Sequence, residues 1–152
     1  MIVVVGHQSA EIRNELNLLE VFFVENPSFE SGMLSSIQAA IPKVSSKSAG
    51  WMVFLGDQPK IPQNLVNHLI KQFQKHHEAE KDLIVLPVCA GIRRNPVIFS
   101  RAFNQRMIAH QGEGGKAMIE AHQDSLLEVE VDDVTLFEDV DTEEDYDLLR
   151  PN

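Results

Sequence analysis

The chain is poor in the residues that mark several large classes of protein. Cys89 is the one cysteine among 152 residues, so no internal disulfide framework can form, and no Cys/His spacing fits a zinc site. Basic side chains are scarce as well. Thirteen Lys and Arg against 23 Asp and Glu leave a net charge of −10, a poor match for the phosphate backbone of DNA or RNA, so no nucleic-acid partner is expected. Apolar runs are short: none approaches the roughly 20 residues that a helix needs to cross a bilayer. The opening Met1-Ile2-Val3-Val4-Val5-Gly6 lacks the basic leader of a secretory signal. The expectation is a soluble protein in a reducing, cytoplasmic setting, with no membrane partner.

What is present suffices for one core. Apolar residues make up 43% of the chain, which predicts a single domain over residues 1–152. Short runs rich in β-branched and aromatic residues predict strands at 2–5, 21–24, 52–55, 83–86, 97–99 and 127–131. Helical patterns lie between them, at 9–18, 33–41, 62–77, 116–122 and 142–149. Such alternation predicts an α/β fold with a mostly parallel sheet covered by helices. In the third helical pattern Leu65, Leu69, Ile70 and Phe73 form one apolar stripe, and Pro62 suits the first turn. Thr142 three residues before Asp145 resembles a capping box, which starts the last helix directly after Asp141. The stretch 42–50 reads as a surface loop.

Two aspartates carry the strongest chemical signal. Asp57, in Leu55-Gly56-Asp57-Gln58-Pro59, and Asp141, in Asp139-Val140-Asp141-Thr142, each close an expected strand and open a loop. Ligands of open α/β sheets settle beyond the carboxyl ends of strands, where two carboxylates can jointly hold Mg²⁺ against a phosphate. The plainer role for Asp57 is a turn cap, but Gly56 and Pro59 shape a loop that presents the carboxylate outward. Asp139 and Asp141 face the same way on an extended chain, and the cap after Asp141 favours that one.

Other segments offer groups for an anion. Ser35 and Ser36 follow Gly32 at a helix start, where free amides and hydroxyls suit an anion or a base edge, unless they only cap the helix. The run Gly112-Glu113-Gly114-Gly115-Lys116 fails the phosphate-loop pattern, yet it remains a glycine-rich helix start with a lysine. Arg93 and Arg94, before Asn95 and Pro96, form the one concentrated basic patch, suited to bidentate phosphate contacts or to a solvated turn. His76 and His77 match no metal spacing and read as surface residues. Trp51 is expected in or beside the core. Asp139-Val140-Asp141-Thr142-Glu143 is compatible with the nucleophile loop of haloacid-dehalogenase-type phosphatases only in part: that loop follows the first strand and has Thr or Val where Glu143 stands, which excludes the family.

Taken in order, Val5-Gly6-His7, Asn26-Pro27 through Gly32 to Ser35-Ser36, Leu55-Gly56-Asp57-Gln58-Pro59, Asn95-Pro96-Val97, Gly112 to Gly115 and Asp139 to Tyr146 resemble the molybdenum cofactor cytidylyltransferases and the related molybdopterin guanylyltransferases. The resemblance implies a three-layer, Rossmann-like sheet of the nucleotide-diphospho-sugar transferase type. It implies transfer of CMP from CTP (or a guanylyl group from GTP) to the phosphate of a molybdenum-bearing pterin, with release of pyrophosphate. By the same resemblance Asp57 and Asp141 would hold Mg²⁺, while Gly32, Ser35, Ser36 and Gly56 would lie near the nucleotide. Arg93, Arg94, Asn95, Pro96, Gly114 and Lys116 would serve the acceptor. Arg94 stands where relatives usually have Gly. The family's opening strand and its Gly/Arg-rich triphosphate loop have no counterpart here, so the first βα unit is expected to be missing. An alternative expectation follows: a non-catalytic remnant that binds a nucleotide or a partner. The strands at 2–5 and 52–55 would each lack a neighbour, and either would close up on the other or be completed by another chain, self-association through the exposed edge included.

Overall fold

The structure is a computed structural model and describes residues 1–78, 81–112 and 114–149. Its strands are β1 (Ile2–Val5), β2 (Phe22–Glu25), β3 (Gly50–Val53), β4 (Ile84–Cys89), β5 (Ile92–Arg93), β6 (Val97–Ser100) and β7 (Leu126–Glu130). The helices are α1 (Ser9–Glu15), α2 (Met33–Ala40), α3 (Gln63–His76), α4 (Asn104–Ala109), α5 (Gly114–Ala121) and α6 (Glu143–Leu149).

The strands form two sheets. β1 and β2 pair in parallel, and the larger sheet runs β3-β6-β4, with β5 and β7 both on β4. β4 and β7 are parallel, and β3 shares their direction because both β3 and β4 are antiparallel to β6. The expected parallel sheet therefore holds for β3, β4 and β7, with β5 and β6 reversed. The cause is chain length. Residues 90–96 separate β4 from β6, too few for the crossover of a dozen or so residues that a parallel return needs, so the chain turns at Ala90 and Gly91 (φ 52° and 74°) and comes straight back.

Side-chain alternation along β4 builds two cores. Ile84, Leu86 and Val88 pack with Phe99, Ile37 and Met118, beneath α2 and α5. Val85 and Cys89 pack with Leu69, Phe73 and Phe137, beneath α3. These are the three expected layers. On α3, Leu65, Leu69 and Phe73 repeat every fourth residue and are buried, whereas Ile70 stands one step round the helix and is exposed. Burying each such side chain stabilises by about 1.5–3 kcal/mol. Trp51 stacks on Phe99 at 4.8 Å between ring centres and donates from Nε1 to Asn104 Oδ1 at 2.8 Å.

Several boundaries differ from expectation for identifiable reasons. β3 stops at Val53 and not at Leu55, because its register sets Phe54 opposite Pro96, before β6 has begun. Pro62 precedes α3 as its N-cap. α1 ends at Glu15, with no buried residue to hold a longer helix. The anticipated closure of β1 onto β3 does not occur: no pairing joins the two among the described residues. α2 lies beneath both edges, and its Met33, Ser36, Ile37 and Ala40 floor an open slot between them.

Candidate functional site

Asp57 and Asp141 do not cap strands, as the sequence suggested. β3 ends at Val53 and β7 at Glu130, so both aspartates lie in loops beyond the sheet. Three links stitch those loops together. Val140 N–H donates to Asp57 O at 2.8 Å, Gln58 Nε2 to Asp139 Oδ1 at 2.8 Å, and Lys60 Nζ meets Glu138 Oε2 at 2.5 Å. Asp139 is thus occupied as a strap, which leaves Asp57 and Asp141 at one rim as exposed carboxylates without a side-chain partner among the described residues.

The cap after Asp141 is formed in full. Asp145 N–H donates to Thr142 Oγ1 at 3.2 Å, while the Asp145 carboxylate receives Thr142 N–H at 2.9 Å and Thr142 Oγ1–H at 2.7 Å. Asp141 N–H reaches the same oxygen at 3.3 Å. These bonds, the Thr142 hydroxyl first, hold the Asp145 carboxyl below its ordinary range. They also fix the backbone that carries Asp141.

Among the described residues no group of three or more His, Cys, Asp and Glu side chains is arranged to hold a metal ion. Two carboxylates alone make a poor cage. They do suit Mg²⁺, which keeps several waters and is commonly held by one or two carboxylates together with substrate phosphates. The donor set therefore fits an ion that arrives with a nucleotide.

A cavity of about 860 Å³ opens on the α2 and α5 side of the large sheet, with Leu86, Val88, Val97 and Phe99 as its apolar floor. Arg93, Arg94, Asn95 and Lys116 meet on its wall, alongside Glu120, Glu128 and Glu130. The two arginines differ. Arg93 donates from Nε to Glu128 Oε1 and from Nη2 to Gln123 Oε1, both at 2.6 Å, so its guanidinium is spoken for. The Arg94 guanidinium lies over the Phe137 ring at 5.9 Å, on the α3 side of the sheet and away from the cavity floor, and its buried Nε has no hydrogen-bond partner among the described residues. Pro96 is buried beside this wall. Gly114 begins α5 with φ 56°, a left-handed conformation that favours glycine, and so brings Lys116 to the cavity; Glu113 of the same motif lies outside the described residues.

Ser35 and Ser36 are held differently from an open hydroxyl pair. Asn26 Nδ2 donates to Ser35 Oγ at 2.8 Å and to Ser36 Oγ at 3.0 Å, and Asn26 Oδ1 accepts Ser28 N–H at 2.9 Å. Asn26 is buried and ties the end of β2 to the start of α2. Gly32, at φ 94°, makes the turn into that helix. Ser36 and Gly56 line the slot between β1 and β3, and Met33, Ile37 and Val53 line both hollows, so slot and cavity adjoin. Sequence reading missed Asn26 and the Gln58–Asp139 strap as organising contacts. The one available signal was a buried-type position, following Val24 and Glu25, filled by an amide.

Known proteins share this fold. The molybdenum cofactor cytidylyltransferase of Escherichia coli is 23% identical over 147 residues, 96% of this chain and 71% of that protein. A crystal structure of Rv0371c from Mycobacterium tuberculosis has 22% identity and a TM-score of 0.79, over 97% of this chain and 73% of that one. A crystal structure of Rv0371c with manganese gives 23%, 0.74, 97% and 76%. The family model described as the MobA-like NTP transferase domain matches residues 1–136. On that match, taken with the fold and the two adjoining hollows, the chain belongs to the MobA-like NTP transferase domain family.

Proposed function

We propose that the chain transfers CMP from CTP to the terminal phosphate of a molybdenum-bearing pterin. An oxygen of the acceptor phosphate forms a new bond to the α-phosphorus of CTP, the bond to the β-phosphate bridge breaks, and pyrophosphate leaves. The observation that carries this reading is the 2.8 Å bond from Val140 N–H to Asp57 O, which draws two aspartate loops distant in sequence to one rim. A Mg²⁺ ion held there would offset charge on the phosphates and supply Lewis-acid polarisation of the α-phosphoryl group. The protein's part is positioning and charge neutralisation. Asp57 and Asp141 hold the metal–nucleotide end, with Gly32, Ser35, Ser36 and Gly56 near the nucleotide. Lys116 receives the acceptor phosphate, Arg93 shapes the wall through Glu128, and Arg94 backs the same turn from the far face of the sheet. Asn95, Pro96 and Gly114 set the backbone around it.

A second reading is favoured by one feature of the rim. Lys60, a cation between the two loops, is paired with Glu138, which leaves it poorly placed to neutralise a triphosphate. On that reading the chain binds a nucleotide without turning it over. Pyrophosphate release from CTP and Mg²⁺ with the pterin acceptor, measured on wild type and Asp57→Asn, separates the two. The transferase reading requires release that falls at least a hundredfold in the variant. Mg²⁺-dependent CTP binding by calorimetry without any release selects the second.

A further inference from the structure

The turn between β4 and β6 sends its two arginines to opposite faces of the large sheet. Arg93 is registered opposite Val88, whose side chain belongs to the α2-side core, so Arg93 faces the cavity. Arg94, one step on, turns the other way, and its guanidinium covers the Phe137 ring in the core beneath α3. The Arg94 N–H donates to Pro87 O at 2.8 Å, which ties this part of the turn to β4.

Phe137 is the last buried residue before Asp141. β7 ends at Glu130, and Val131 N–H makes one more bond, to Val88 O at 2.8 Å. The chain then leaves the sheet until the Phe137 ring, 3% exposed, re-enters the core. The bonds of the next three residues run to the other aspartate loop: Glu138 to Lys60, Asp139 to Gln58 and Val140 to Asp57. The two loops therefore hold each other, while Phe137 ties the pair to the sheet.

Three arginines among the described residues lie over aromatic rings. Arg13 over Phe23 and Arg106 over Phe103, both at 4.9 Å, also pair with carboxylates, those of Glu25 and Asp82. Arg94 has no such carboxylate among the described residues, and its Nε is buried without a partner. A guanidinium partly withdrawn from water with no anion to answer it is a poor source of stability. The ring face is the group that attracts its charge, so its contribution is to the place of Phe137.

We propose that Arg94 is a positioning residue for the metal site: it clamps Phe137 to the turn at 90–96 and so keeps Asp141 in reach of Asp57. The inference rests on the reading of that rim as the metal–nucleotide end. Arg93 and Asn95 of the same turn line the acceptor cavity, so the clamp fixes the two ends of the reaction relative to each other through the thickness of the sheet.

Two measurements on the full chain test this. Hydrogen exchange of the Val140 amide, which is bonded to Asp57 O, reports the strap without any ligand; Mn²⁺ taken up with CTP, followed by the electron paramagnetic resonance of the free ion, reports the metal site. Arg94→Met keeps the length of the side chain and removes its charge. It should speed Val140 exchange about tenfold or more and weaken Mn²⁺ uptake about ten- to a hundredfold, the usual effect of losing a group that orients a metal ligand. Arg94→Lys, which keeps a cation over the ring, should recover most of both. Ile84→Ala, in the opposite core and lining neither hollow, should lower stability and leave Mn²⁺ affinity unchanged. Val140 exchange equal to wild type in Arg94→Met overturns the proposal, and so does a loss that Arg94→Lys fails to restore. Faster exchange with undiminished Mn²⁺ uptake overturns the role at the metal, as does an equal fall in Mn²⁺ affinity in Ile84→Ala. Wild type that takes up no Mn²⁺ with CTP is a separate result, which defeats the metal reading of the rim and the proposal with it.

Discussion

β1 and β4 are built from nearly the same residues, Ile-Val-Val-Val against Ile-Val-Leu-Pro-Val-Cys, yet they meet opposite fates. Every residue of β4 is buried, while in β1 only Val5 is. β4 has β6 and β5 on one edge and β7 on the other, since Val88 pairs with both Arg93 and Glu130, whereas β1 has β2 alone among the described residues. Burial in a sheet is thus conferred by neighbours on both edges and both faces, and β-propensity only makes a run eligible for it. The large sheet carries both apolar cores, and the small one rests on α2.

The sharpest way to break that contrast is to remove comparable volume from each strand. Leu86→Ala, at a position wholly enclosed by the α2-side core, should cost about 2–5 kcal/mol in urea unfolding. Val4→Ala, half exposed at the slot, should cost about 1 kcal/mol or less, the central tendency for a single change. Equal losses would mean that β1 is as enclosed as β4 and that the slot is closed in solution.

A second contrast separates the basic side chains of the cavity. Lys116→Ala should raise the acceptor KM roughly ten- to a hundredfold, the equivalent of about 1.5–3 kcal/mol for a charge-assisted hydrogen bond, with little change in stability. Arg93→Ala breaks its contacts to Glu128 and Gln123 instead. It should show in the temperature of unfolding and only weakly in KM. If Arg93 proves the stronger in KM, the assignment of the acceptor phosphate to Lys116 fails.

How much of this was legible in the sequence follows from the range of the forces involved. The α3 stripe at Leu65, Leu69 and Phe73 and the Thr142–Asp145 cap were readable because both are local, set by spacing within one or two turns. β5 was not, because its turn places Ala90 at φ 52° where Asn or Gly would have announced it. The reversal of β6 was hidden in the shortness of residues 90–96. At the site, the choice of Asp141 over Asp139 came from the cap. The bond of Asp139 to Gln58, across 81 positions of sequence, is a tertiary contact with no local mark. The slot was foreseen only as two strands lacking a neighbour; that α2 props them apart needed coordinates.

Asn26 joins the small sheet to α2 and is the one buried amide there. Asn26→Ala should cost about 1–3 kcal/mol, since Ser28 N–H and the two serine hydroxyls lose a buried partner. Ser36→Ala removes one of several acceptors and should cost less. Should Asn26→Ala unfold no more readily than wild type, the small sheet would owe its place to apolar packing on α2 alone.

The smallest effect compares one ion pair from each region. Arg106 binds Asp82 with two bonds, 2.5 and 2.6 Å, beside the start of β4, whereas Arg13 and Glu25 meet once at 3.7 Å next to β2. Both are partly exposed, so solvent screening limits even the better pair to about 1 kcal/mol at most and leaves the other near zero. The Arg106 guanidinium holds the Asp82 carboxyl below its ordinary value of 3.8. A depressed folded-state pKa stabilises the protein fully above the unfolded value, and the contribution fades as pH falls below it toward the folded value. The stability gap between wild type and Asp82→Asn should therefore stay level from pH 7 down to about pH 5, shrink as pH drops through and below 3.8, and vanish in stronger acid. Glu25→Gln should give no gap at any pH. A gap for Asp82→Asn that grew on acidification would mean that the carboxyl is raised, and that the bidentate bond between β4 and α4 is not what holds it.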